Sequence, residues 1–342
     1  MEFNLHIDGV LKISFMPRDY SGDETNIRNL DIEAIKQLAQ LYSSNNIIWD
    51  EVEYKSTIDW NKLIDVIEES YDENGRFYTE IDGNIYKAIA IIKTDEDSSE
   101  LAPLELPVKV TITNNENPNK DILAFKKLLM DIFLIANLSV PGILDLFNAR
   151  LELNEEEYKL QLSNFYFQHS LNAEFEKTIA FPTIIQVPQV KAWFDNLNIG
   201  LQMKSEHSIE RSLFSLLHIC RMDAGISMVS WIFHALEAIY GTKAGRGFND
   251  IKEKAVFLLT VPVNKQKALS KKLRELNDLR SSFIHGGYKV AHPLDFETED
   301  RIFDLTNFGV ALIICSIQQL ISKNWIELTV TEVYGGITQE YS

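Results

Sequence analysis

Two cysteines, Cys220 and Cys315, in 342 residues leave no material for a disulfide framework or a cysteine-rich zinc site. This points to a reducing compartment, or to a fold indifferent to redox, and makes the cytoplasm the expected location. Basic charge is also short: 33 Lys and Arg stand against 50 Asp and Glu, a net charge of −17. A field of that sign repels polyanions and excludes a protein that coats nucleic acid or an anionic membrane indiscriminately, so any nucleic-acid contact has to be local. Long apolar runs are missing too. The longest uncharged stretch near the end, residues 308–320 (FGVALIICSIQQL), falls short of the ~20 residues of a membrane span and reads as a core helix. No membrane partner is expected. The opening MEFNLHIDGV carries an acid at position 2 and no basic-then-apolar pattern, which argues against a secretory signal. What is present, 45 % apolar residues over this length, suffices for sizeable cores and two domains.

The scarce positive charge is concentrated. Residues 1–120 hold 11 basic and 24 acidic side chains, residues 121–240 hold 9 and 14, residues 241–290 reverse the balance with 11 and 4, and residues 291–342 return to 2 and 8. One third of the basic residues thus falls in fifty positions, among them Lys243, Arg246, Lys271, Lys272, Arg274, Arg280 and Lys289. Such a cluster is either a local footprint for a polyanion or a solvated helix face.

The first 120 residues mix strand and helix signals. FNLHIDG, VLKISF and PVKVTIT read as strands, and RFYTEI and IYKAIAII flank Asp82-Gly83-Asn84 as a hairpin. Residues 31–42 place Ile32, Ile35, Leu38 and Leu41 at helical spacing, with Asp31 near the N-terminus of that helix. The polar stretches 94–100 and 113–120 read as loops, the second as a domain boundary. Beyond it, 121–137 and 141–150 are predicted helices and 157–167 a strand. Helical spacing then dominates over 187–197, 208–222, 226–240, 265–285 and 297–323. The expected fold is α+β and multidomain: an acidic, strand-containing domain over 1–118, connecting helices and a strand over 119–200, and an all-α bundle over 201–342.

The helix over 265–285 is the most informative. Leu269, Leu273, Leu276, Leu279 and Phe283 form one apolar stripe, while Lys271, Lys272 and Arg274 lie on flanking faces. Gly286-Gly287 follow as a C-cap. Arg280 and His285 stand at the end of this helix. At ~100° per residue they lie ~140° apart around the axis, so they converge only if the helix unwinds near Gly286 or a second subunit supplies the missing partner.

The segment Arg280-x4-His285, written RSSFIH and followed by GG, with SWIFHALEAIYG at 230–241 before it, resembles the signature of the HEPN superfamily, the higher-eukaryote and prokaryote nucleotide-binding helical domains. It is most similar to ApeA-like HEPN proteins, over about residues 205–325 and none of the first 120. The resemblance implies a helical bundle that dimerises, bringing two Arg/His pairs into one cleft. It also implies metal-independent ribonuclease activity in phage defence or a toxin–antitoxin system, with RNA, including tRNA, as substrate and a phage trigger or antitoxin as further partner. No cofactor is expected. The residue types fit that chemistry. A histidine can move a proton at a ribose 2′-OH or a leaving 5′-oxygen. An arginine fork can hold the phosphate and stabilise the charge that builds on it. The chain departs from the family at Ser281, where Asn, Asp or His is frequent, and at Tyr288, three residues after the histidine where some members have a tyrosine two after it. Both departures favour a competing reading, a module that binds nucleotide, RNA or a protein without cutting. A third reading, a helical scaffold with no nucleic-acid role, applies if the basic residues are dispersed over the bundle.

Supporting residues follow from position. Glu237 either orients Arg280 by an ion pair or is a surface glutamate. Asn277 and Asp278 either help position Arg280 or solvate the helix. Arg246, Lys271, Lys272, Arg274 and Lys289 are the candidate RNA contacts. The loop GTKAGRG at 241–247 lacks the Gly-Lys-Ser/Thr ending of a phosphate-binding loop and reads as a flexible basic loop. His234 and Glu237, with His218 and Cys220 nearby in sequence, fall short of a zinc ligand set, and no metal is assigned. His6, His169, His207 and His292 read as structural or exposed. Phe165-Tyr166-Phe167 reads as a buried strand before a base-stacking platform. The acidic N-terminal domain would act as sensor or regulator, and its charge could shield the basic segment by mimicking a polyanion.

Overall fold

The computed structural model describes residues 4–13, 24–49, 52–70, 78–81, 84–87, 104–113, 118–153, 156–171, 182–200, 202–221, 225–243, 247–290, 292 and 295–329. The architecture is α+β: an antiparallel sheet in the N-terminal half and a largely helical C-terminal part. Strands β1 (Asn4–Ile13), β2 (Ser44–Trp49), β3 (Val52–Ile58), β6 (Leu104–Thr113), β7 (Arg150–Leu153) and β8 (Glu156–Lys159) form one six-stranded sheet in the order β2-β3-β6-β1-β7-β8. A separate hairpin pairs β4 (Tyr78–Ile81) with β5 (Asn84–Lys87). Around the sheet come helices α1 (Glu24–Tyr42), α2 (Asn61–Ser70) and α3 (Pro118–Ser139), then the short α4 (Phe165–His169). The remainder is α5 (Val187–Asn196), α6 (Ser208–Cys220), α7 (Met228–Tyr240), α8 (Gly247–Leu258), α9 (Val263–Ile284) and α10 (Phe296–Lys323).

Period-two alternation sets the sheet. In β3, Tyr54, Ser56 and Ile58 are buried while Lys55 and Thr57 are exposed; in β6, Leu106 and Val108 are buried between exposed Glu105, Pro107 and Lys109. Their apolar face meets Ile35, Leu38 and Tyr42 of α1 and Leu63 of α2. The two segments FNLHIDG and VLKISF form one continuous strand, because Gly9 pairs in register with Val108 and Leu153 and no turn interrupts the ladder. Strands β7 and β8 arise about forty residues after β6, yet β7 pairs with the free side of β1. The middle of the chain thereby completes the N-terminal sheet. One hydrophobic core runs without a break from Leu11 in β1 to Ile321 in α10.

Other expectations are corrected. Asp31 is no N-terminal residue: α1 starts at Glu24, and Asp31 is fully buried within it. Residues 141–150 form turns, an isolated bridge between Leu146 and Leu162, and the start of β7 in place of a helix. The reason lies at the end of α3, where Gly142 adopts φ +86, a conformation open to glycine at little cost. Buried Asn137 locks that turn. Its Nδ2 donates to the carbonyls of Phe133 (2.9 Å) and Leu144 (2.8 Å), and its Oδ1 accepts from the N–H groups of Gly142 (3.1 Å) and Leu144 (3.4 Å). Asn137→Ala should cost about 2–4 kcal/mol in urea-induced unfolding, since each buried polar group left unpaired costs about 1–3 kcal/mol. The predicted strand over 157–167 ends early. β8 stops at Lys159, and Phe165-Tyr166-Phe167 opens the short helix α4, with Tyr166 and Phe167 buried and Phe165 at the surface. Phe167 packs edge-on against Phe133 of α3 (5.9 Å). Residues 88–100, including the rest of the IYKAIAII run, lie outside the described residues, as do 114–117 of the boundary expected over 113–120 and His6's side chain; of that boundary, Thr113 belongs to β6 and residues 118–120 already to α3.

The helices expected from 187 onward are present, and α2 and α8 add to them. Helix α10 is the one described helix long and apolar enough to cross a membrane, and 89 % of its apolar window is buried inside the protein. Its Gln318 stitches the two halves together. The side-chain amide donates to the carbonyls of Leu138 (2.9 Å) and Thr183 (2.7 Å) and accepts from the Thr183 N–H (2.8 Å). α1 and α5 are joined likewise, by Gln37, whose Oε1 accepts from the Val187 N–H at 3.0 Å.

Candidate functional site

Helix α9 stands on its leucine stripe: Leu269, Leu273 and Leu276 are buried, Leu279 is half-buried, and none of its other residues is fully buried. One turn beyond the stripe, Arg280 turns toward α7. Its Nη1 donates to Oε1 of Glu237 at 2.7 Å, and its guanidinium carbon lies 4.6 Å from the centre of the Phe233 ring. Phe233 and Glu237 are four residues apart on α7, so one helix face supplies both an aromatic seat and a carboxylate. The ion pair is neither fully buried nor loose: the two side chains are 30 % and 32 % exposed. Only one guanidinium nitrogen is engaged by Glu237, and an arginine has five N–H donors. The exposed part of the fork remains open to an anion.

Glu237 is held from a second side. A Cβ placed on Gly247, the first residue of α8, would come within 3.2 Å of Glu237 Oε1, so the carboxylate packs against the start of that helix. A helix N-terminus favours a negative charge there. The ion-pair reading of Glu237 is therefore the one the structure realises.

His285 follows directly after α9 and is exposed, its backbone N–H donating to the Ser281 carbonyl at 3.0 Å. Gly286 takes φ +71, which ends the helix and lets the chain fold back. Tyr288 then donates its N–H to the Ser282 carbonyl (2.9 Å) and sets its ring edge-on to Phe283 (6.3 Å). Helix α9 is regular through Ile284, and His285 is its C-cap. Arg280 points to α7, and by ideal helical spacing position 285 lies about 140° further round the axis. In the chain on either side of His285, Phe283, Ile284 and Val290 (87 %) are exposed, and Phe296 (65 %), the first residue of α10, is exposed too.

The remaining candidates divide. Asn277 is half-buried and Asp278 and Ser281 are exposed, and among the described residues none of the three hydrogen-bonds Arg280. Lys271 pairs loosely with Glu275 at 3.9 Å, Lys272 is half-buried, and Arg274 and Lys289 are exposed. Arg246 lies outside the described residues. Lys254 has a structural role, its ammonium capping α7 through the carbonyls of Tyr240 (2.6 Å) and Gly241 (3.0 Å). The 241–247 stretch is not wholly loop, since Gly247 begins α8. Sequence reasoning missed Phe233 and Gly247, although the i, i+4 spacing of Phe233 and Glu237 was available as a signal.

His218, His234 and Cys220 do not form a common site. His218 stacks on Trp231 (4.1 Å, 7° between planes), His234 approaches the same indole edge-on at 6.3 Å, and Cys220 is buried with its thiol pushed above the usual range by desolvation. Burial, with Arg221 nearby, lowers the His218 pKa. Among the described residues no three His, Cys, Asp or Glu side chains converge as metal ligands. His169 packs between Phe165 (4.1 Å) and Phe303 (5.4 Å), and His207 and His292 are exposed. Comparison of the chain with protein-family models, with curated proteins and with solved structures finds no match.

Proposed function

We propose that this protein is a HEPN-type, RNA-cleaving effector that acts in the cytoplasm as a homodimer, in phage defence or as a toxin. The observation that carries the reading is the Arg280 seat. A guanidinium braced by Glu237 and Phe233 yet 30 % exposed is prepared to bind a phosphate without losing its own orientation. The exposure of His285, one turn further on, supports its exchanging a proton with substrate. In the reaction the ribose 2′-oxygen attacks the adjacent phosphorus and the bond from phosphorus to the 5′-oxygen breaks. The 2′-OH gives up its proton and the leaving 5′-oxygen gains one, giving a 2′,3′-cyclic phosphate and a 5′-OH. Arg280 stabilises the charge on the phosphoryl oxygens, and His285 carries a proton.

Helical spacing sets Arg280 and His285 about 140° apart on one chain, so this reading takes a second copy that brings its histidine to the first copy's arginine. The exposed Phe283 and Ile284, which directly precede His285 in the chain, support such a contact. The N-terminal sheet would then regulate the helical part.

The test is incubation of wild type, Arg280→Ala and His285→Ala with total RNA, tRNA included, in EDTA, followed by mapping of product ends. Cleavage by wild type alone, leaving cyclic phosphates, is the expected result. RNA binding without cleavage, under phage challenge as well as in vitro, would replace this reading with that of a non-cutting binding module.

A further inference from the structure

Away from α9, a cleft of about 510 Å³ opens where the end of α1 and the start of β2 meet α3 and α5. That volume is in the range of small-molecule sites, about 300–1,000 Å³. Its floor is apolar, from Leu41, Leu128 and Ile135, and its wall carries Tyr42, Asp131, Lys191 and Asp195. The two carboxylates are neutralised in different ways. Asp131 is tied to Lys127, whose ammonium donates to both carboxylate oxygens at 2.6 Å from a side chain only 7 % exposed, so that lysine cannot leave. Asp195 is paired with Lys191 at 2.6 Å on an outer turn of α5, with the aspartate 59 % exposed. An i, i+4 pair of that exposure is held weakly. The Lys191 ammonium also stands 5.8 Å from the centre of the Tyr42 ring. The Tyr42 hydroxyl titrates above its usual range, chiefly through burial and then through the fields of Asp195 and Asp131, so both carboxylates act on the same wall.

An ammonium between an aromatic face and a carboxylate, in a cleft whose floor is apolar, is already present here as Lys191. We propose that this cleft is a binding site for a primary alkylammonium ligand, which takes the place of the Lys191 ammonium against Asp195 and the Tyr42 ring. An anionic ligand would have to compete with Asp195 for Lys191 and would face Asp131 as well, whose own lysine is fixed. The site is independent of the RNA-cleaving reading and stands or falls separately.

The test is isothermal titration of the full chain with 1,5-diaminopentane at constant ionic strength, with 1,5-pentanediol as the uncharged control. Wild type should bind one equivalent of the diamine and none of the diol. Asp195→Asn, a change at an exposed position that the fold tolerates, should weaken binding at least tenfold. Lys191→Met, which removes the resident competitor and keeps the stem, should strengthen it several-fold. A capped pentapeptide with one central lysine separates the sources of the ligand. Diamine binding without peptide binding identifies a free amine, and tighter peptide binding identifies a partner's lysine side chain; either supports the site. No binding by wild type, or binding that is unchanged in Asp195→Asn as expected for attraction to the net charge alone, would overturn it.

Discussion

Replacing Arg280 by alanine is expected to slow RNA cleavage by about 10²- to 10³-fold, the usual cost of removing one preorganised donor to a developing oxyanion. His285→Ala should cost about 10²- to 10⁴-fold, the range of a lost proton-transfer group. Arg280→Lys keeps the charge but loses the planar fork and its stacking on Phe233, so it should recover only part of the rate. Glu237→Gln keeps an acceptor for Arg280 and leaves the site assembled. The pair is about one third exposed, so its loss should change stability by no more than about 1 kcal/mol. Its effect should fall on kcat, through a less well-held guanidinium, with little change in KM.

A mixing experiment tests the geometry directly. If Arg280 of one copy works with His285 of the other, a heterodimer of Arg280→Ala and His285→Ala protein contains one intact composite site and one doubly damaged site. An equimolar mixture of exchanging subunits should then regain about one quarter of the wild-type activity, half the dimers being mixed and each having half its sites. Two inactive preparations that stay inactive when mixed, under conditions where subunits exchange, would show that the pair acts within one chain. The regular course of α9 through Ile284 argues for the first outcome.

The second large effect concerns the crossing that carries the site. Gly309 of α10 faces α7 and α9 at very close range: an added Cβ would lie 2.7 Å and 3.2 Å from methyl carbons of Ile232 and 3.0 Å from one of Leu276. Both side chains, Ile232 and Leu276, are fully buried in the core, so nothing can retreat into solvent. Gly309→Ala should destabilise the protein by about 1–3 kcal/mol, the cost of overpacking, less a helix-propensity gain of up to about 1 kcal/mol. Gly309→Val should exceed that range. Urea unfolding read by tryptophan fluorescence measures both. Because Ile232 lies one residue before Phe233 and Leu276 one turn before Arg280, the same substitutions should also shift the Arg280 seat and lower any RNA cleavage. Gly309→Ala costing nothing would mean that α10 packs at greater distance than described.

Much of the helical half is legible in the sequence because its signals are local. The leucine stripe of α9, the apolar run of α10 and the i, i+3, i+4 spacing of α5, α6 and α7 each lie within a few turns of chain, as does the glycine that ends α9 at Gly286. Arg280 and His285 stand out for the same reason, together with the reversal of charge around them. The failures share the opposite feature. Residues 141–150 have helical spacing, yet Asn137 and Gly142 fold them into a turn whose strand then pairs with β1, more than 130 residues earlier in the chain. Phe165-Tyr166-Phe167 alternate like a strand, but α3 and α10 offer a ring-lined slot that takes them as a helical turn.

The candidate site divides along the same line. Residue type and spacing determined that an arginine and a histidine stand at the end of a basic helix, five positions apart and therefore on different faces. Only the tertiary structure decided that Arg280 is held by Phe233 and Glu237, that Gly247 presses on that carboxylate, and that Lys191 stands over Tyr42. The physical reason is reach: periodicity and caps are set by neighbours along the chain, whereas an ion pair between residues 237 and 280 or a cleft shared by α1, α3 and α5 exists only once the core has fixed how those elements cross.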